Sequence, residues 1–200
     1  MPGSDASRWD ERYLANARYN SFEKPRPFLV ENASHLPSNG LALDIAMGLG
    51  GNAGFLLELG LRVVGVDISG VAVRRAHARL PKLMAVQADL TRFYLPPATF
   101  DVILNFFYLE RALWPRYRQA LRPGGILVFE TLTQAMLTRQ PDIDPQYLLA
   151  PGELRQAFSA LEILTYREGW TESETGHPRA VAGLVGRIPP PDEQLSETDL

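Results

Sequence analysis

Cysteine is absent from the 200-residue chain. Disulfides, thiolate metal sites and a cysteine nucleophile are excluded with it. Long apolar runs are missing too; stretches such as Phe106–Leu109 or Ile126–Phe129 are far too short to cross a bilayer. Positive charge is not in excess, since the net charge is −3, and a general attraction to nucleic-acid backbones is not expected. The opening MPGSDASRWDERY lacks the apolar run of a secretory signal. The expectation is a cytoplasmic protein with neither a membrane nor a nucleic-acid partner. His35, His77 and His177 have no second ligand at metal-binding spacing, so they read as surface residues and no metal is expected.

What remains is ordinary globular material, 46% hydrophobic and 22% charged, of a length that fits one domain. Residues 5–19 can form a helix with an apolar stripe through Trp9, Tyr13 and Leu14. Pro25 and Pro27 interrupt that pattern, and Phe28–Ala33 can make a second short helix. From Gly40 onward, short apolar strands alternate with helices. The strands read as LALDI, LRVVGVD, KLMAVQAD, TFDVILNF and ILVFETL, the last introduced by Gly124 and Gly125. The predicted helices are Asn52–Leu59, VAVRRAHARL capped by Ser69, Trp114–Leu121 and Glu153–Ala160. This alternation predicts right-handed crossovers and a mostly parallel sheet covered on both faces. LEILTYREGW and PRAVAGLVGRI follow without an intervening helix and should close as an antiparallel hairpin. The long connection between Thr133 and Ala150, carrying Met136, Arg139 and Tyr147, exceeds normal loop length and reads either as an acceptor-recognising lid or as a disordered surface loop. The tail 189–200 reads as loose.

The motif that carries chemistry is Gly48-Leu49-Gly50-Gly51-Asn52-Ala53, between a strand and a helix. Glycine there lets a ligand approach the backbone closely. Alone, the loop leaves a dinucleotide and other nucleosides open. Three acids, Asp44, Asp67 and Asp89, close the first three strands, where an open parallel sheet forms its ligand crevice. Asp67 lies 19 positions after Gly48, the distance at which a carboxylate accepts from ribose hydroxyls and repels a 2′-phosphate. A pyrophosphate wants a helix N-terminus without a carboxylate beside it. Asp44 and Asp89 therefore suit a cationic, phosphate-free ligand better, and S-adenosylmethionine has that charge distribution. Asp44 can attract its ammonium and Asp89 its adenine amine. An NAD-dependent oxidoreductase and a cofactor-binding module without catalysis are the alternatives.

LALDIAMGLGG, VVGVDIS, VQADL, FDVILNFFYLER and LRPGGILVFET, in this order, resemble the successive motifs of class I S-adenosylmethionine-dependent methyltransferases. The resemblance covers about residues 40–188. It implies an α/β, Rossmann-like, doubly wound seven-stranded sheet, mostly parallel with an antiparallel strand in the C-terminal hairpin. It implies one methyltransferase domain over 1–188, with S-adenosylmethionine converted to S-adenosylhomocysteine. The methionine portion would meet Asp44, Ala46, Gly48 and Gly50. The ribose would meet Asp67 and Ile68, and the adenine Asp89 and Leu90; Asn105 and Phe106 would lie beside the methyl. Ala46 departs from the family, which has its first glycine there; Met47 stands where cysteine is frequent.

WDERY, YLERALWP, FETLT and YLLAPGEL look like bacterial enzymes grouped with tellurite-resistance and thiopurine methyltransferases. In that group the amino-terminal part, here residues 1–35, covers the cofactor, which makes Trp9, Arg12 and Tyr13 candidates. The acceptor is expected to be a small molecule with a soft nucleophile, a thiol, tellurite or similar. NFFYLER lacks the D/N-P-P-F/Y signature of amino methylation. Tyr13, Phe106, Tyr108 and Arg111 are the candidate acceptor pocket, with Tyr108 and Arg111 able to orient an anion and Phe107 read as core. Arg74, Arg75 and Arg79 form a basic helix face expected to be solvated.

Overall fold

A computed structural model describes residues 5–15, 22–173 and 176–190. The helices are α1 (Asp5–Ala15), α2 (Pro27–Glu31), α3 (Gly51–Glu58), α4 (Gly70–Arg79), α5 (Trp114–Ala120) and α6 (Glu153–Ala157). The strands are β1 (Leu41–Ile45), β2 (Arg62–Asp67), β3 (Met84–Gln87), β4 (Phe100–Phe106), β5 (Leu121–Leu132), β6 (Glu162–Glu172) and β7 (Pro178–Arg187). They form one seven-stranded sheet in the order β3-β2-β1-β4-β5-β7-β6. Pairing is parallel from β3 through β5, and β7 runs antiparallel to both β5 and β6. The sheet is Rossmann-like and doubly wound, as expected. Its order reverses between β1 and β4, and that reversal opens a crevice at their carboxyl ends.

The period-two alternation of strand side chains assigns each residue to a face. Leu43, Ile45, Ile103, Leu127 and Phe129 pack on one side with Trp114, Tyr117 and Phe158 from the helical layer. Ala42, Val102, Leu104, Ile126 and Val128 pack on the other against Phe28, Leu29 and Leu56. Each such fully buried Leu or Phe contributes about 1.5–3 kcal/mol. The same alternation turns Asp44 toward α3 and Asn105 toward α5, so one polar residue from each central strand lies below the crevice.

Several boundaries differ from the sequence reading. β3 ends at Gln87, and Asp89 belongs to the turn beyond it, where it accepts from the backbone N–H and hydroxyl of Thr91 at 2.9 and 2.7 Å. β5 begins at Leu121, so Gly124 and Gly125 lie inside the strand. Both pair with Ile188: Gly124 N–H donates to its carbonyl at 2.9 Å, and its N–H donates to Gly125 at 2.9 Å. α6 stops at Ala157 because the chain turns to bury Phe158 and Leu161. Of the helix expected over 5–19, residues 16–19 lie outside the described residues, as does most of the 189–200 tail.

The connection 133–150 is anchored. Thr133 and Leu149 form a β-bridge beside β5, and Met136 and Leu148 are buried with Ala180. α1 is held against α4, whose N-terminal N–H groups need acceptors. Ser69 caps Ala72, and Asp10 accepts from the Ser69 hydroxyl and, at 3.0 Å, from Val71 N–H. The expected solvated face on α4 is partly engaged. Arg75 pairs with Glu23 at 3.0 Å and donates to the Tyr13 carbonyl, while Arg79 donates to the Leu49 carbonyl. Among the described residues, no helix is long and apolar enough to cross a membrane.

Candidate cofactor and acceptor cavity

The carboxyl ends of the central strands open into a cavity of about 1230 Å³. Sites for one drug-sized ligand are roughly 300–1,000 Å³, so this space has room for a nucleoside and a second small molecule.

The turn from β1 to α3 passes through three left-handed positions, Ala46 (φ 51°), Gly48 (φ 55°) and Gly50 (φ 76°). Glycine adopts this region freely; a residue with a Cβ gives up about 1–2 kcal/mol there. Ala46 therefore carries strain at the very position where the family pattern has glycine. Gly48 is needed for a second reason: the Tyr13 hydroxyl lies 2.9 Å from where a Cβ would stand.

The loop's N–H groups are largely committed within the protein. Gly48 N–H donates to Asp67 Oδ2 at 2.8 Å, and Gly50 N–H donates to the Met47 carbonyl at 3.0 Å. Ser69 N–H donates to Asp67 Oδ1 at 2.9 Å. Burial pushes the Asp67 carboxyl up, and these two donors oppose the shift. Asp44 lies deeper. Burial, followed by the nearby Asp67 charge, pushes its carboxyl up to about 8, against the Ala53 N–H at the start of α3 and the Arg26 charge. Its Oδ2 has no hydrogen-bond partner. Asn105 donates to the Tyr117 hydroxyl at 3.1 Å, and its Oδ1 is likewise unpartnered.

The predicted site residues divide by place. Ala46, Gly48, Asp67, Ile68, Asp89 and Leu90 line one end of the cavity, with Trp9 and Tyr13 of α1 beside them. Trp9 and Tyr13 stack with ring centroids 5.8 Å apart. Phe106, Tyr108 and Arg111 also reach the wall. Asp44, Gly50, Asn105 and Arg12 do not form the wall itself. Asp44 and Asn105 lie beneath it, Gly50 caps α3, and the Arg12 guanidinium covers the Trp9 ring at 4.8 Å. Arg111 faces the cavity but is engaged elsewhere: it pairs with Glu153 at 2.5 Å and donates to the carbonyls of Gln146 and Leu148. It fastens the 133–150 connection to α6.

Other residues on the wall escaped the sequence reading. Phe107, read as core, packs against the cluster of Leu104 and Phe106 and also lines the cavity, with φ 57°. His177, read as surface, lines it too, as do Lys24, Arg26 and Arg179. Arg26 is placed by the 22–26 segment, which crosses the start of α3. Its backbone N–H donates to Asn52 Oδ1 at 2.9 Å, and a Cβ on Gly51 would collide with the Lys24 carbonyl. No spacing rule ties Arg26 to Arg179, so pattern reading had no means of joining them.

Comparison with known proteins agrees with this geometry. Residues 42–125 match the sequence pattern of a family described as "Methyltransferase domain". A protein of Mycolicibacterium smegmatis, named a probable S-adenosylmethionine-dependent methyltransferase, is 26% identical over 121 residues, 58% of this chain and 47% of that one. A malonyl-[acyl-carrier protein] O-methyltransferase of Enterobacter lignolyticus is 30% identical over 163 residues, 78% of this chain and 59% of that one. The chain thus spans about half the length of these curated relatives. The crystal structure of a SAM-dependent methyltransferase from Methanosarcina mazei superposes with a TM-score of 0.68 at 18% identity, covering 84% of this chain and 100% of that one. The chain shares the fold of that structure, and its residues 42–125 match the methyltransferase-domain family pattern.

Proposed function

We propose that the protein is an S-adenosylmethionine-dependent methyltransferase acting on a small acceptor, with residues 1–188 as one domain and the amino-terminal segment as its cover. One observation carries this reading: the buried carboxyl groups of Asp44 and Asp67 stand behind the loop before α3, and Asp44 Oδ2 has no hydrogen-bond partner among the described residues. Within the loop, Gly48 N–H donates to Asp67 and Gly50 N–H to Met47. A pyrophosphate would face those carboxylates, whereas an ammonium would supply the partner that Asp44 Oδ2 lacks.

The residues present fit the cofactor. Asp44 would hold the ammonium side, Asp67 would accept from the ribose, and Ile68 and Leu90 would sandwich the base near Asp89. When bound, the cofactor supplies an activated methyl group. The protein's task is then to align the acceptor and exclude water. Trp9 and Tyr13 would close that end from above, held there by the Asp10 contacts to Ser69 and Val71.

Burial, with Glu110, Asp89 and Asp5 nearby, pushes the Tyr108 phenol up to about 12, so it stays protonated at neutral pH and is a poor general base. An acceptor that arrives already ionised or polarisable suits this wall. A thiolate or chalcogen oxyanion remains within the proposal, as does the tellurite- and thiopurine-like grouping and a cytoplasmic setting.

Calorimetric titration with S-adenosylhomocysteine and with NADH tests the cofactor. Binding of S-adenosylhomocysteine without NADH is expected; binding of NADH alone would replace the reading with an oxidoreductase.

A further inference from the structure

We infer that His177 takes the proton of the acceptor, so that a neutral thiol enters the cavity and becomes nucleophilic within it. This deepens the reading above and rests on it, in that the methyl group comes from S-adenosylmethionine held at the end lined by Asp67 and Asp89.

Sheet register puts His177 over the crevice. Leu132, the last residue of β5, pairs with Val181 of the antiparallel β7. Residues 177–180 therefore run past the carboxyl end of β5, and His177, Pro178 and Arg179 line the cavity. Arg179 reaches Phe107, its guanidinium 5.4 Å from the ring centroid, and the Ala180 carbonyl accepts from Thr133 N–H at 3.0 Å. The backbone of His177 is fixed by Ser173: its N–H donates to the Ser173 hydroxyl oxygen at 3.1 Å, and its carbonyl accepts from Ser173 N–H at 2.9 Å. Among the described residues its imidazole has no hydrogen-bond or ion-pair partner, so both ring nitrogens face outward from the hairpin uncommitted. Phe106, Phe107, Leu132 and Met136 give the cavity an apolar stretch, where an acceptor that enters uncharged loses no charge hydration.

Among the described groups on the wall, the others suit this task less. Lys24, Arg26, Arg111 and Arg179 are cations with no lone pair to offer. The carboxylates are engaged. Asp67 accepts from Gly48 and Ser69 N–H groups, and Asp89 from the N–H and hydroxyl of Thr91. Glu110 accepts from Ala112 N–H at 3.1 Å, and Asp5 pairs with Arg8 at 2.7 Å. Asp5, Asp89 and Glu110 also all act on Tyr108, which locates them around that phenol rather than beside His177. A phenol gives a proton at neutral pH rather than taking one, and Tyr108 is held further toward its neutral form. Histidine is the side chain suited to accept and return a proton between pH 5 and 8.

The step balances. The thiol S–H bond breaks as its proton passes to an imidazole nitrogen of His177. A lone pair of that sulfur forms the new bond to the methyl carbon. The bond from the carbon to the sulfonium breaks, and its electron pair stays on the cofactor's sulfur, leaving neutral S-adenosylhomocysteine. The imidazolium then releases its proton to solvent, which reaches this exposed residue.

The test uses the full chain, with His177→Gln as the variant and two thiols as probes: phenylmethanethiol, which is neutral at neutral pH, and 4-nitrobenzenethiol, which is already ionised there. Calorimetric binding of S-adenosylhomocysteine comes first and reports that the variant is folded. With S-adenosylmethionine, His177→Gln should lower kcat for phenylmethanethiol about 100-fold or more, while kcat for 4-nitrobenzenethiol stays within about threefold. In proton NMR of the chain saturated with S-adenosylhomocysteine, the imidazole signal missing from His177→Gln should move when phenylmethanethiol is added. Equal losses for the two thiols, no loss for phenylmethanethiol, or an unmoved imidazole signal overturns the inference. Turnover of neither thiol by an unaltered chain that binds S-adenosylhomocysteine overturns it as well. Failure of the unaltered chain to bind S-adenosylhomocysteine overturns the cofactor reading instead, and is seen before any thiol is added.

Discussion

The two ends of the cavity are built differently. The acid-lined end is made of strand termini and the turn that follows β1, so its groups are fixed by backbone hydrogen bonds and sheet register. The rest of the wall is made of side chains delivered by a crossing segment, a hairpin strand and the anchored 133–150 connection, among them Arg26, Arg179 and Met136. The first kind of construction constrains a ligand common to many proteins; the second can change a few residues at a time and redirect the acceptor. A fold conserves chemistry where the backbone itself forms the site, and varies it where loops and edge strands supply the contacts.

The sharpest way to break this contrast is at Asp67, which serves both frame and ligand. Asp67→Ala removes the acceptor for Gly48 and Ser69 N–H groups and should weaken S-adenosylhomocysteine binding by about 1–3 kcal/mol, measured calorimetrically. An unchanged dissociation constant would remove Asp67 from the site.

Asp44 separates function from stability. Its carboxyl is raised when folded, so the stabilisation it gives is fully present below the ordinary value of 3.8 and is lost as pH rises toward about 8. Asp44→Asn removes that ionisation. At pH 8 the variant should unfold at a higher denaturant concentration than the unaltered protein, yet bind S-adenosylhomocysteine about tenfold more weakly. Losing both together would make Asp44 a structural residue.

Ala46 offers a smaller, opposite effect. Ala46→Gly should relieve the left-handed backbone and raise stability by about 0.5–1 kcal/mol in a denaturant melt. A destabilised variant would mean that the alanine methyl contributes more packing than its backbone gives up. Asp10→Ala should change global stability least, since the contact is a cap on the protein surface. Its expected readout is faster proteolysis within α1, slowed again by S-adenosylhomocysteine; equal cleavage rates would detach α1 from the site.

The same contrast explains what the sequence made legible. Asp44, Asp67 and the glycine turn stand at fixed distances along strand–turn–helix units, and one-dimensional spacing carries that information directly. The alternation of strands and helices, and the closing hairpin, are legible for the same reason. Asp89 shows the limit: an acid after a strand-like run is not an acid in the strand, because β3 ends when its partner β2 does. Phe107 does pack against the core, as read, but its additional place on the cavity wall was hidden because a left-handed φ leaves no trace in composition. Arg26 and Arg179 were invisible because only the folded sheet brings them to one ring. Asp10 was hidden likewise, its partners Ser69 and Val71 lying in a different unit of the chain.

The most direct measurement is the calorimetric titration of the unaltered protein with S-adenosylhomocysteine from pH 6.5 to 8, in buffers of different ionisation enthalpy. The ligand's α-ammonium beside Asp44 must favour its charged form, so binding should tighten as pH rises and release a proton to the buffer. Binding that is absent, or that shows no pH dependence and no proton release, would contradict the claim that buried carboxyl groups at the strand ends receive the ammonium of a phosphate-free nucleoside.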